Sequence, residues 1–361
     1  MTKPTHTKVV IGMSGGVDSS VAAALLKEKG YEVIGVTMHL WDGENTDTMT
    51  ESTCCSLSAV EEAKQISDTL GIAHHVLDLR KEFSENVIDY FTNEYINGRT
   101  PNPCIACNKF MKFDAMAKAL SLFDAEYIAT GHYARVDYDP ISGKYLLKRA
   151  SADAKDQTYV LYNLTQKQLS RLLLPLGSFS HKEEVRQYAD KLGLSSANKP
   201  DSQEICFIPD KDYASFIKRR TGYIPREGDF VDTKGNILGT HKGIINYTIG
   251  QRKGLGIAFG KPMFVLGIDG EKNQVVLGEQ GTEFSNTLYA KNPNFIPFDT
   301  IDGTLRASAK VRYSAKAAPA EISLENGLLK VVFDEPQRAI TPGQAVVIYD
   351  DDIVIGGGTI I

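Results

Sequence analysis

Apolar residues change their spacing a little past the middle of the chain. Up to about residue 208, short apolar runs alternate with stretches of helical period. Lys8 to Met13 is a β-branched run, a glycine turn follows, and Val17 to Lys29 reads as a helix closed by Gly30. Glu32 to Leu40 predicts a second strand, Ser58 to Leu70 a helix closed by Gly71, and His74 to Leu79 a third strand. A further helix covers Lys81 to Ile96, and Glu126 to Thr130 is another buried strand. Between them, after a loop at Thr100 to Cys107, Phe110, Phe113, Ala117 and Leu120 fall on one helical face. Strands alternating with helices predict an α/β domain, a Rossmann-like parallel sheet with helices on both faces.

From about Ile208 the pattern shortens. Gly, Asp, Asn and Pro turns punctuate brief strands, as at 228–232 and 274–278, through to the C-terminus. Three domains are expected: 1–208, the catalytic α/β domain; 209–285, a small β-rich central domain; and 286–361, a C-terminal β-barrel. In the segment Leu305 to Lys316 the cations Arg306, Lys310, Arg312 and Lys316 all take even positions. Strand alternation would place them on one face, suited to backbone phosphates, or simply to water. Gly356 to Gly358 reads as a tight strand crossing, His74 and His75 open a strand, and His181 begins a helix.

Composition adds bounds. The 361 residues exceed one ordinary core, and 42% hydrophobic with 24% charged residues is a globular balance. No apolar stretch reaches the ~20 residues that span a bilayer. The opening MTKPTHTKVV lacks the pattern of a signal peptide, which predicts a cytoplasmic protein without membrane partners. Five cysteines, an odd number, point to thiol chemistry or metal binding rather than a disulfide framework. A net charge of −5 neither supports nor excludes a nucleic-acid partner.

Chemistry concentrates first in Ser14-Gly15-Gly16-Val17-Asp18-Ser19-Ser20, between the first strand and its helix. A helix N-terminus offers unpaired N–H donors and a positive dipole end to anions, and the glycines let backbone approach phosphate. The serine hydroxyls can donate, and Asp18 is the candidate for holding Mg²⁺. The competing reading is a tight turn capped by Asp or Ser. No Gly-Lys-Ser/Thr follows, so this is not a Walker loop.

The second concentration is thiols. Cys107 sits before the expected helix with Lys109 and Lys112 nearby, an environment that favours the nucleophilic thiolate. Cys206 follows almost a hundred residues later, and two distant thiols could form a transient disulfide during sulfur transfer. The Cys104–Cys107 spacing also suits half of a zinc site, a redox pair or, with Cys206, an iron–sulfur cluster. Adjacent Cys54 and Cys55 read as a loop feature.

The loop resembles that of the N-type ATP pyrophosphatases. With it stand 98–108, GRTPNPCIACN; 129–134, ATGHYA; 155–159, KDQTY; 201–208, DSQEICFI; and 247–256, YTIGQRKGLG. Together they resemble the tRNA-specific 2-thiouridylases, the MnmA family, over nearly the whole chain. That resemblance implies an adenine-nucleotide α-hydrolase-like fold and ATP-dependent 2-thiolation of a tRNA wobble uridine through an adenylated base. It implies an ATP site of Gly12, Met13, Ser14, Gly15, Gly16, Val17, Asp18, Ser19, Met38 and Gly131. Cys107 resembles the nucleophile and Cys206 the persulfide carrier, while Asn102, Pro103 and Cys104 would meet the target base. His132, Lys155, Asp156, Gln157, Arg312, Tyr313 and Gln344 correspond to tRNA contacts, and Tyr313 and His132 suit recognition of splayed nucleotides. Cofactors implied are ATP and Mg²⁺, with the iron–sulfur cluster the less favoured alternative. A cysteine desulfurase or sulfur-relay protein would supply sulfur. Some members of that family carry Asp where this chain has Cys104. A tRNA-binding module without catalysis is the reading from another class.

Overall fold

The computed structural model describes residues 7–42, 57–199, 205–257 and 260–361. Cys54, Cys55 and the 201–204 part of the Cys206 motif lie outside them. Packing divides the chain into one unit of residues 1–87, 104–211 and 352–354 and another of 88–103, 212–351 and 355–361.

The first unit contains β1 (Lys8–Gly12), β2 (Glu32–His39), β3 (Ala73–Asp78), β4 (Tyr127–Ala129), β5 (Ala134–Asp139), β6 (Lys144–Arg149) and β7 (Leu172–Leu173). Five of these form a parallel sheet in the order β3-β2-β1-β4-β7. Val9, Val10 and Ile11 of β1 are fully buried, as expected for a central parallel strand covered on both faces. The helix Val17–Glu28 seals Val21, Ala22, Ala23 and Leu26 into a core shared with Val185 and Ala189 of the helix Lys182–Lys191. β5 and β6 form an antiparallel hairpin. The doubly wound reading of the alternating pattern therefore holds.

The helix expected after Cys107 begins earlier. Proline opens it at Pro103–Ala106, and the backbone runs without interruption through a wide π-wound stretch, Cys107–Ala115, into Met116–Phe123. π winding adds residues per turn and rotates the apolar face. The face that packs is accordingly Met111, Phe113, Ala115, Met116, Ala119 and Leu120, whereas Ala117, expected inside, is exposed.

In the second unit β8 (Gly228–Val231), β9 (Ile237–His241), β10 (Met263–Asp269) and β11 (Gln274–Glu279) make a sheet in the order β10-β11-β8-β9. Phe230, Tyr247, Val265 and Leu277 lie in its core. β12 (Phe284–Phe295), β13 (Thr304–Lys310), β14 (Ala318–Glu325), β15 (Leu328–Arg338), β16 (Ala345–Asp350) and β17 (Ile353–Ile360) follow the order β12-β15-β14-β13-β16-β17, and β12 pairs again with β17. That last pairing closes a barrel and removes exposed edges.

The expected cationic strand face is shorter than the alternation suggested. β13 ends at Lys310, and 311–315 is a turn, so Arg312 and Lys316 leave the strand register. Arg306 is paired with Asp334, and Lys310 lies over the Tyr313 ring at 5.9 Å. Half of the proposed stripe is thus not on the strand, and one of its strand cations is neutralised.

Candidate active site

β1 has β2 on one side and β4 on the other, so the strand order reverses between β1 and β4. Crevices at the carboxyl ends of such strands are where open α/β sheets bind ligands. The loop 13–16 leaves β1 there, and 130–133 leaves β4 there.

The loop is built to keep donors open. Gly16 is the N-cap of the helix Val17–Glu28 and brings no side chain to cap it. The hydroxyls of Ser19 and Ser20 instead donate to the Gly16 carbonyl, at 3.1 and 2.8 Å. Ser14 donates its N–H to Ser19 Oγ at 3.2 Å, which draws the loop back over the first turn. Gly131 lies directly against that turn: a Cβ there would stand 2.7 Å from both Asp18 C and Ser19 N. Any side chain would push the loop away. Met13 is fixed by its N–H to Val36 O at 2.8 Å and by the Thr37 hydroxyl on its carbonyl, so β2 sets the depth of the loop. Half-buried Met38 follows two residues beyond that contact.

Asp18 has partners that local sequence does not reveal. Lys182 Nζ donates to both its carboxylate oxygens at 2.6 Å, and Tyr133 Oη donates to Oδ1 at 2.7 Å. Lys182 is only 6% exposed, Asp18 33%, and the ammonium also lies 5.5 Å from the centre of the Tyr133 ring. The pair therefore has a buried cationic side and an open anionic side. A second pair, Lys199 with Glu62, sits by the loop, since Glu62 Oε2 is 2.8 Å from where a Cβ on Gly15 would be.

Other expected site residues fall into distinct places. His132 is buried, its Nδ1 2.8 Å from Thr130 Oγ1 and its Nε2 3.5 Å from Lys112 Nζ. Burial, aided by the Lys112 charge, pushes its pKa well below the usual value, so the imidazole is neutral. Gln157 is bound to Tyr133 on both sides, accepting from Tyr133 N at 2.9 Å and donating its own N–H to Tyr133 O at 2.9 Å. Asp156 is buried and accepts from Ala150 N and Thr158 Oγ1. Lys155 is half-buried on a 3₁₀ turn. In the second unit Arg312 Nη2 donates to the carbonyls of Arg338 and Ala339, and Tyr313 is 45% exposed. Half-buried Asn102 precedes buried Pro103.

Cys104 is exposed, and Cys107 and Cys206 are half-buried. Because the helix starts at Pro103, Cys104 occupies its second position and Cys107 lies a full turn inside. The dipole effect falls off within the first turn, so its pull acts on Cys104 rather than on Cys107. Among the described residues no group of three or more His, Cys, Asp or Glu side chains gathers as a metal site. Nor is any described helix long and apolar enough to cross a membrane.

A parallel sheet with an open glycine loop at its switch point defines an α/β protein of the kind that binds ligands in the crevice at the carboxyl ends of its strands. The family model described as a tRNA methyl transferase HUP domain matches residues 7–210. Those described as a tRNA methyl transferase PRC-barrel domain and an aminomethyltransferase beta-barrel domain match 214–279 and 285–360. A protein of Clostridioides difficile (strain 630) named tRNA-specific 2-thiouridylase MnmA is 57% identical over 356 residues, 98% of each chain. One of the same name from Acetivibrio thermocellus is also 57% identical, over 98% of this chain and 99% of its own. The chain belongs to the MnmA family of tRNA-specific 2-thiouridylases.

Proposed function

We propose that the protein is an ATP-dependent tRNA-uridine 2-sulfurtransferase that thiolates the wobble uridine through an adenylated base and a persulfide on Cys206. The observation that carries this reading is the open loop 13–19 at the switch point, in a chain whose relatives, matched end to end, are named 2-thiouridylases.

The loop's role follows from charge. Cleaving ATP at the α–β bond releases pyrophosphate, and the N–H groups of the first helical turn, with Ser14 and Ser19, face that departing charge. Adenylation of the 2-oxygen converts a poor leaving group into AMP. Mg²⁺ fits the open side of Asp18, where it would neutralise pyrophosphate charge. The persulfide's terminal sulfur on Cys206 then attacks C2 and AMP departs. The Cys107 thiolate attacks Cys206 Sγ, which frees the thiocarbonyl and leaves a Cys107–Cys206 disulfide for an external thiol to reduce. In a branch of this scheme Cys107 resolves the persulfide first and hydrosulfide attacks the base.

Residues 1–208 would carry catalysis, with Met38 and Gly131 at the nucleotide, and 286–361 would bind tRNA beside the central domain 209–285. Asn102, Pro103 and Cys104 would meet the uridine. His132, Lys155, Asp156 and Gln157 of the first unit, and Arg312 and Tyr313 of the second, would be tRNA contacts. A cysteine desulfurase or relay protein would load Cys206 in the cytoplasm.

The family models' descriptions speak of methyl transfer, and one experiment separates the two chemistries. With ATP, Mg²⁺, a sulfur donor and unmodified tRNA, mass spectrometry of the wobble nucleoside should show oxygen exchanged for sulfur, with AMP and pyrophosphate released. Gain of a methyl group, or no dependence on ATP, would overturn the proposal.

A further inference from the structure

The loop that carries Asn102 and Pro103 is held by the turn 342–344 that precedes β16 in its own unit. Thr100 donates its N–H to Pro342 O at 2.9 Å. Gln344 Nε2 donates to Thr100 O at 2.9 Å and to Pro101 O at 3.2 Å. A primary amide has two N–H donors, so one nitrogen satisfies two successive carbonyls. Gly343 makes the approach possible: its φ is +94°, and a Cβ there would lie 2.9–3.0 Å from the O, C and N of Thr100. The strap 342–344 is itself fixed, because Gly343 N donates to Ile360 O and Ile360 N to Gln344 O, at 2.9 and 2.8 Å. On the other flank Arg99 is paired with Glu94.

This geometry turns the Gln344 amide inward, onto main chain, whereas the family resemblance implied a tRNA contact. Pro101 and Pro103 stiffen the loop but supply no N–H donors, so its carbonyls depend on donors from elsewhere. Nothing in local sequence provides them, and Gln344 does so from 243 and 244 residues away.

We propose that Gln344 is a positioning residue: its amide, with Pro342 and Gly343, sets the conformation of Thr100-Pro101-Asn102 and thereby the geometry presented to the target uridine. The inference rests on the reading of 102–104 as the base-contacting loop. It makes the barrel a template for the reaction as well as a binding surface.

The test compares full-length wild type with Gln344→Ala and Gln344→Met, the second keeping bulk without donors. Three quantities are read: amide hydrogen exchange across 99–103 without RNA, tRNA Kd at fixed salt, and the single-turnover thiolation rate. Both variants should exchange at Thr100 roughly tenfold faster and thiolate roughly tenfold more slowly, with Kd within about twofold. Unchanged loop exchange with a Kd weakened several-fold would overturn the proposal in favour of a direct tRNA contact. Recovery of both exchange and rate in Gln344→Met would also overturn it, since packing alone would then suffice. Wild-type protein that thiolates no tRNA would instead sink the functional reading, while exchange at Thr100 still decides the clamp.

Discussion

The Asp18–Lys182 pair is unequal in its access to water, and that inequality predicts an asymmetry between its two single variants. Lys182 is 6% exposed and Asp18 33%. Asp18→Ala removes the carboxylate that pairs with this buried ammonium, a loss in the range of about 3–5 kcal/mol. Lys182→Met keeps most of the apolar stem, and the carboxylate left behind still has the Tyr133 hydroxyl and an open side to water. Its loss is that of a charged hydrogen bond, about 1.5–3 kcal/mol. Because the two side chains are in direct contact, the double variant should be less destabilised than the sum of the singles by about 0.5–3 kcal/mol. Trp41 is the chain's one tryptophan and lies in the first unit, so its fluorescence in urea follows this unit rather than the β domains. Lys182→Met at least as destabilising as Asp18→Ala, or strict additivity in the double variant, would refute the account of the pair.

Other substitutions probe the same crevice. Gly131→Ala places a methyl 2.7 Å from two backbone atoms of the first helical turn; an overpacking cost of about 1–3 kcal/mol should weaken ATP binding by roughly 5- to 150-fold by titration calorimetry. His132 titrates far below its unfolded value near 6.5, so the unfolded chain takes up its proton first and stability falls as pH drops below that value. The loss has a slope of about 1.4 kcal/mol per pH unit until the folded pKa is reached, and urea titrations should show it removed in His132→Gln. The exposed thiol at the helix start, Cys104, should alkylate faster than Cys107 at neutral pH, as peptide mass spectrometry after brief iodoacetamide treatment will show.

What could be read in advance follows the range of the interactions involved. Apolar runs such as Val9 to Ile11 need only their own composition to become buried strands, and the glycine loop is defined by contiguous residues. The parallel sheet followed from alternation of strands and helices, but its strand order, and hence the crevice between β1 and β4, did not. The phase of the helix 103–123 did not, because π winding at Cys107–Ala115 leaves no local signature that apolar spacing can capture. The cationic stripe failed for a related reason: alternation was continued past Lys310, where β13 ends. Lys182 was missed because it reaches Asp18 from 164 residues away. Its place at the start of a helix after His181 was visible, but its partner was not. Contacts of that range are set by topology, and no window along the sequence contains both ends.

The central claim is that the loop activates the base while Cys206 delivers sulfur, two functions on one chain that a single substitution can separate. Cys206→Ser should abolish formation of 2-thiouridine in tRNA while tRNA-dependent exchange of labelled pyrophosphate into ATP continues near the wild-type rate. Thiolated tRNA still accumulating with Cys206→Ser, in a preparation free of wild-type enzyme, would contradict it.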